Sequence, residues 1–174
     1  MPYRRPIQTG LRHRLLSWYG PCPGSVFEQD PPMAEMIHLR SPREVMCGWA
    51  HLPRYIDKIR LHLAGQLPPE YEELLGKQSD ELWLKAAGVT HEQMVELVRG
   101  SLTDGQICNW VRRHVVRSDE EKARTADAIL RYPLPGDRAG QERFARRKRD
   151  YGLGGRDDIQ TRADLIDADE SRLP

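Results

Sequence analysis

At 174 residues the chain has the length of one domain with a single buried core. Its 27 lysines and arginines nearly balance 26 aspartates and glutamates, which leaves no overall basic field to attract nucleic acid or an anionic membrane. No apolar run approaches the ~20 residues of a membrane span, and the first residues lack the apolar segment of a signal peptide. The three cysteines form no pair at metal-binding spacing, which favours reduced thiols. We therefore expect a cytoplasmic protein whose partner is neither a membrane nor a nucleic acid.

The N-terminal part of the chain differs from the rest. Six prolines fall within residues 1–32, and no periodic apolar pattern accompanies them. We predict a disordered N-terminal extension over residues 1–36, with Met33 as an alternative translation start. Residues 37–174 are then predicted to form a single helical domain.

Helical signals follow one another from Met33 onwards. Residues 41–44 (Ser-Pro-Arg-Glu) predict the start of a short helix, which Gly48 and Pro53 separate from a longer helix ending at Gly65. Prolines 68 and 69 then open a short turn of helix that stops at Gly76.

Later helices are predicted from their end signals. One runs from Ser79 to Ala87, and a basic one covers residues 138–150. Hydroxyl residues in N-cap position, each followed by a Gln or an acidic residue at the third helical position, start four more, at Thr90, Thr103, Ser118 and Thr161. Strand patterns are thin, so we predict an all-α fold, a compact bundle of about six to eight short helices.

The long helix predicted after Pro53 has apolar residues on two faces, which is unusual for a surface helix. At about 100° per residue, Leu52, Ile56, Ile59 and Leu63 stack on one face, and Leu61 lies on the opposite face among charged residues. A helix that is apolar on two sides is predicted to be covered on both. Some of its charges would then be enclosed and would need partners.

Those charges are Arg54, Asp57, Lys58 and Arg60. Asp57 lies three residues from Arg54 and three from Arg60, so one carboxylate could bridge two guanidinium groups along the helix. We predict that this cluster binds a small anionic ligand or a protein partner, which makes the protein a binding or interaction module. Two alternatives stay open: an ion-pair ladder that orients neighbouring helices, or a small-molecule enzyme using the cluster with a divalent cation. No catalytic residue is assigned.

Carboxylates crowd the C-terminal part of the chain. Their number would suffice for Ca²⁺ or Mg²⁺, but their spacing is not that of an EF-hand loop. We predict no metal site and no cofactor. We expect these side chains, which we call the acidic tail, to cap a terminal helix and to pair with basic side chains of residues 40–65, which we call the opening block. They are Asp157, Asp158, Asp164, Asp167, Asp169 and Glu170.

The basic run at residues 143–149 and the residue His51 need separate interpretations. Because Asp150, Asp157 and Asp158 follow the basic run closely, we interpret it as a solvated helix face paired to the acidic tail, with nucleic-acid binding as the alternative. His51 precedes the long helix, where its imidazole could serve as a cap. The tryptophans on these patterns, Trp49, Trp83 and Trp110, are expected in the core or in the walls of a groove.

Three blocks together resemble a bacterial family catalogued as domain of unknown function 5069. Residues 40–65 contain Arg-Ser-Pro, a Gly, Leu-Pro-Arg, Asp-Lys and Leu-Ala-Gly in that order; residues 67–110 form the second block; residues 155–170 contain Asp-Leu-x-Asp-x-Asp-Glu. The resemblance covers residues 38–170 and leaves out the N-terminal extension. Arg162 and Ala163 depart from it, because much of the family has aromatic residues there. It implies no activity, so it supplies a family and no mechanism.

Overall fold

A computed structural model describes residues 39–173 of the chain. The extension predicted over residues 1–36 lies outside the described residues. Within them the chain forms eight helices and one two-stranded hairpin, so the predicted bundle of short helices is confirmed, with the hairpin as an addition. None of the helices between residues 39 and 173 combines the length and the apolar character needed to cross a membrane.

The elements follow one another through short connections. The hairpin strands come first, β1 (Val45–Met46) and β2 (Trp49–Ala50). The helices are α1 (Leu52–Leu63), α2 (Pro69–Glu72), α3 (Ser79–Ala87), α4 (His91–Arg99), α5 (Asp104–His114), α6 (Asp119–Leu130), α7 (Arg138–Asp150) and α8 (Arg162–Asp169).

The hairpin replaces the short helix predicted to begin at residues 41–44, and that prediction is wrong. Cys47 and Gly48 both have positive φ, 46° and 83°, as in the two-residue type I′ turn that matches the twist of paired strands. Met46 pairs with Trp49 across it in antiparallel register. Ser41 forms a tight turn instead of a helix start, because its carbonyl accepts a bond from the Glu44 N–H at 3.1 Å.

Capping boxes fix where half of the helices begin. Thr90, Thr103, Ser118 and Thr161 each accept a hydrogen bond from the backbone of the third helical residue, whose side chain bonds back to the N-cap backbone. All four starts agree with the sequence prediction. The predicted bounds of α3 and α7 are confirmed as well.

Helix α1 lies in the centre of the described domain. Leu52, Tyr55, Ile56 and Ile59 are 0% exposed, and α1 packs against α4, α3, α2 and β1. The other layer is organised by α6, which contacts α3, β2 and α8. Only the C-terminal end of α1 reaches the surface, where Leu63 is 36% exposed. The expectation that α1 is covered on both sides therefore holds for its first two turns.

Two of the three tryptophans within residues 39–173 lie in the core, as expected. Trp49 and Trp83 are buried, and their rings meet edge to face with centroids 5.8 Å apart. Trp49 belongs to β2 instead of a helix. Trp110 is half-buried and stacks on His114, with centroids 4.4 Å apart.

Candidate functional site

A cavity of about 260 Å³ opens beside the first turns of α1. Its walls come from α1, from α2 and the segment that leads into α3, from α7 and from α8. The volume is close to the lower end of what small-molecule pockets occupy. Five cationic and three acidic side chains line it: Arg54, Lys58, Lys77, Arg147 and Arg162, with Glu70, Asp169 and Glu170.

Arg54 enters this cavity wall as one half of a buried ion pair. It is 3% exposed, and its guanidinium donates to both carboxylate oxygens of Glu170, at 2.6 and 3.0 Å. Tyr71 donates its hydroxyl to the same carboxylate at 2.8 Å. Burial raises the pKa of Glu170, but the hydrogen bonds and charge of Arg54 outweigh it and leave that pKa below its usual range. Arg54 and Glu170 are therefore both charged and mutually neutralised.

Lys58 is the other α1 cation in the wall, and Asp80 neutralises it. Its Nζ lies 2.5 and 2.6 Å from the two oxygens of Asp80, which is 0% exposed. Asp80 also accepts the backbone N–H of Gly76 at 3.0 Å and bonds the Nε2 of His51 at 2.8 Å. One carboxylate thus receives three partners from α1, its N-cap and the turn before α3.

Burial is the largest single influence on the pKa values of Lys58, His51 and Asp80. It lowers the pKa of the Lys58 ammonium and of the His51 imidazole below their usual values. The pKa of Asp80 would rise through burial, but the hydrogen bond from His51 and the charge of Lys58 lower it instead. Asp80 is therefore ionised, and His51 is neutral near pH 7.

His51 does not cap α1 with its side chain, contrary to the sequence interpretation. It has the N-cap position with a left-handed backbone, φ 68°, and its ring turns to Asp80 instead. Because Asp80 is ionised, Nε2 carries the proton and donates it, which leaves Nδ1 as an acceptor. Among the described residues, Nδ1 is buried with no hydrogen-bond partner.

The structure divides the four residues predicted as the site. Arg54 and Lys58 line the cavity, whereas Asp57 and Arg60 lie on the opposite flank of α1. Asp57 forms a two-pronged pair with Arg40, at 2.7 and 2.8 Å, and Arg60 lies 2.7 Å from Asp104. The predicted bridge from Asp57 to Arg54 and Arg60 is therefore replaced by pairs to other segments of the chain.

A second cavity of about 530 Å³ adjoins the first. The two share Gln78, Arg147, Arg162 and Leu165 in their linings. Four arginines line the second cavity against one carboxylate, Asp150. We call these four, Arg143, Arg146, Arg147 and Arg162, the arginine cluster.

Tyr132 holds two members of the arginine cluster in place. The guanidinium carbon of Arg162 lies 4.1 Å from the centre of its ring, and Arg143 donates to its hydroxyl at 3.1 Å. The Tyr132 carbonyl accepts the backbone N–H of Arg162 at 2.7 Å. Burial lowers the pKa of Arg162, and the nearby charges of Arg147 and Arg143 lower it further.

Among the described residues, four aspartates of the acidic tail form no direct ion pair with the arginine cluster, in contrast to the expected pairing. They are Asp157, Asp158, Asp164 and Asp167. Asp158 pairs with Arg156 of its own loop at 2.6 Å.

The acidic tail instead closes the fold against the opening block, as predicted. Asp164 caps α8 and contacts Arg43, while Asp167 bonds the Ser41 hydroxyl at 3.0 Å and lies 3.2 Å from Arg43. Among residues 39–173, no group of three or more His, Cys, Asp or Glu side chains is placed to hold a metal ion.

The model of the family described as Domain of unknown function (DUF5069) matches residues 37–172. The chain belongs to this family. The match covers all eight helices and both cavities. No curated protein matches the chain.

Sequence reasoning missed the cavity residues that lie outside α1. Asp80 reads as an ordinary acidic residue in the first turn of α3. Arg147 reads as part of a solvated face, and it is exposed as that interpretation predicts, but the sequence does not show that it also lines both cavities. One signal did exist: Arg162 was the position that departs from the family pattern, and it stacks on Tyr132 at the junction of the two cavities.

Proposed function

We propose that this protein is a cytoplasmic binding module for a small anionic ligand, which it holds in the first cavity. Arg54 and Lys58, two of the four residues predicted from the sequence, form the α1 wall of this site. Asp57 and Arg60 then serve the fold, since their partners are Arg40 and Asp104 on the other flank.

The observation that carries the proposal is the imbalance of charge around the cavity. Arg54 and Lys58 are balanced by Glu170 and Asp80. Arg147 and Arg162, on the facing wall, form no ion pair with a carboxylate within the described residues. Arg147 is exposed, whereas Arg162 is half-buried and loses part of its hydration, so an anion in this cavity would supply Arg162 with a counter-charge.

The paired residues of α1 also contribute to this function. Arg54 and Lys58 are held in place by their ion pairs with Glu170 and Asp80. They therefore give the cavity a wall whose geometry is fixed before a ligand binds. Ser79 and Gln78 add a hydroxyl and an amide group that can donate hydrogen bonds to ligand oxygens. The unpaired arginines would supply charge, and these neutral groups would supply orientation.

A panel of anions titrated into the full chain tests the proposal. Phosphate, pyrophosphate, citrate and succinate are compared by calorimetry and thermal shift, since a ligand that binds the folded state raises the melting temperature. We expect at least one to bind, and Arg162→Met to weaken it at least tenfold.

Two control variants make that result specific. Arg131→Met removes an exposed arginine that pairs with Asp127 at 3.0 Å, and Arg60→Met removes a cation from the far flank of α1. Both should bind like the wild type. An equal loss in Arg60→Met would place the ligand on the flank, and binding that none of the variants changes would refute a site in the cavity.

A small-molecule enzyme is the second candidate, favoured by the group around Asp80. A lysine whose pKa is lowered by burial and a histidine with an open nitrogen are groups that can move protons. Incubating the protein with any anion that binds and following the ligand by NMR tests this candidate. An unchanged ligand spectrum would leave binding as the function.

A further inference from the structure

The arginine cluster lines the second cavity, next to the site proposed for the anion. Resting on the function proposed above, we infer that the ligand is a small organic phosphate or diphosphate. Its phosphoryl oxygens are bound by Arg143, Arg147 and Arg162 at the junction of the two cavities, and its organic part occupies the first cavity.

The first argument is charge. The second cavity has four arginines and one carboxylate in its walls, and Asp150 alone cannot neutralise them. A carboxylate ligand brings one negative charge per group, whereas a phosphate ester brings about 1.5 to 2 near pH 7 and a diphosphate brings more. A phosphoryl group therefore supplies more charge to this wall per group than a carboxylate does.

The second argument is preorganisation. Tyr132 accepts Arg143 at its hydroxyl and lies under the guanidinium of Arg162, so two like charges from α7 and α8 are held near one another by an uncharged residue. The charges of Arg147 and Arg143 act on Arg162 in this arrangement and contribute to lowering its pKa. Planar guanidinium groups fixed in this way present paired N–H donors, a geometry that suits phosphate oxygens.

The third argument is the continuity of the two cavities. Arg147 and Arg162 line both, so a phosphoryl group bound there lies at the mouth of the first cavity. That cavity offers apolar and aromatic surface from Leu74, Tyr151 and Ile166. Its volume of about 260 Å³ would hold a compact organic group.

The local backbone is shaped to keep Tyr132 in position. A Cβ added to Gly140 would lie 2.1 Å from an oxygen of Asp137, which caps α7, and 2.9 Å from the Tyr132 hydroxyl. Only glycine lets the first turn of α7 approach this closely. The contact therefore fixes the end of Tyr132 to which Arg143 donates.

The experiment compares phosphoryl and carboxylate anions of matched size on the full chain. Pyrophosphate, inorganic phosphate, citrate and succinate are titrated at low salt into the wild type and into Arg162→Met, Arg143→Met and Tyr132→Phe. We expect pyrophosphate to bind at least tenfold more tightly than succinate. Arg162→Met should remove most of this preference, and Arg143→Met and Tyr132→Phe should weaken it by about three- to tenfold.

Each outcome decides between the inference and the proposed function. If citrate or succinate binds as tightly as pyrophosphate and Arg162→Met abolishes both, an anion site exists but the phosphoryl inference is wrong. If no anion binds, both are wrong. Arg143 is exposed, so Arg143→Met keeps the test valid should Arg162→Met fail to fold.

The neighbouring alternative is a nucleic-acid surface, and the same samples address it. A short single-stranded RNA is added in competition with pyrophosphate, with Arg131→Met as the matched control for loss of one surface charge. RNA that binds more tightly than pyrophosphate, loses affinity steeply with salt and depends on Arg143 and Arg146 would overturn the small-molecule inference. Pyrophosphate binding that RNA does not displace would support it.

Discussion

The two walls of the first cavity handle charge in opposite ways. On the α1 wall, Arg54 and Lys58 are buried and each is matched to a carboxylate from a distant part of the chain. On the other wall, Arg147 of α7 is exposed and Arg162 of α8 is half-buried, and neither forms an ion pair with a carboxylate within residues 39–173. Charges that the chain neutralises itself belong to its architecture. Charges without a carboxylate partner are available to a ligand, and in this cavity they lie on α7 and α8.

The largest expected effect is the loss of Asp80. Asp80→Asn keeps the size of the side chain but leaves the buried Lys58 ammonium without a counter-charge, so we expect about 3–5 kcal/mol less stability in a urea melt. Asp119→Asn is the matched control, because Asp119 pairs with Lys122 at the surface and is fully exposed, so this substitution should leave the free energy of unfolding nearly unchanged. Similar losses in both variants would mean that burial does not distinguish the two pairs.

A double substitution sharpens the same point. Lys58→Met added to Asp80→Asn removes the uncompensated charge and should restore part of the lost stability. If the double variant is less stable than either single variant, Lys58 stabilises the fold by something other than its pair with Asp80.

The second prediction concerns Arg54 and Glu170, the other buried pair. Arg54→Met should cost about 3 kcal/mol, less than Asp80→Asn, because Glu170 keeps Arg172 and the Tyr71 hydroxyl as partners. A cycle with Glu170→Gln should show coupling above about 1 kcal/mol in urea melts. Additive losses would indicate that the pair lies in a wetter environment than its 4% and 5% side-chain exposures imply.

The third prediction concerns the pH dependence of stability that His51 contributes on the α1 side of the cavity. The pKa of His51 in the folded chain lies below its ordinary value of 6.5. As the pH falls through 6.5, His51 therefore becomes protonated in the unfolded chain while it stays neutral in the folded chain. Stability should therefore decrease from pH 6.5 downwards, by at most about 1.4 kcal/mol per pH unit, until the folded pKa is reached.

A variant of His51 isolates this contribution. His51→Asn keeps a donor for Asp80 and accepts the left-handed backbone, since Asn tolerates positive φ. It should flatten the slope of stability between pH 6.5 and 5.5 in urea melts. An unchanged slope would assign the pH dependence to other histidines.

These contrasts show what the sequence could and could not predict. Helix starts were predictable because a capping box is complete within four residues, as at Thr90 and Thr161. The hairpin was not, because Cys47 adopts a positive φ that its residue type does not favour. The enclosure of Arg54 and Lys58 followed from the apolar pattern of α1.

The facing wall could not be predicted because its parts are far apart in sequence. Arg162 meets Tyr132 across 30 positions, and Arg54 meets Glu170 across 116. A basic run such as residues 143–149 looks the same in sequence whether water or a cavity lies beside it. Only the packing of α7 and α8 around Tyr132 distinguishes the two cases.

The smallest expected effect on stability is the most informative about function. Arg162→Met should change the free energy of unfolding by less than about 1 kcal/mol in buffer without phosphate, and it should stabilise the chain if repulsion from Arg143 and Arg147 outweighs the lost contact with Tyr132. Arg54→Met, of the same chemistry but on the paired wall, is the matched comparison at about 3 kcal/mol. If pyrophosphate binds as proposed, it should raise the melting temperature of the wild type and leave Arg162→Met nearly unchanged. A loss of 3 kcal/mol or more in Arg162→Met without ligand would show that this cation stabilises the fold itself, and the distinction between the two walls would disappear.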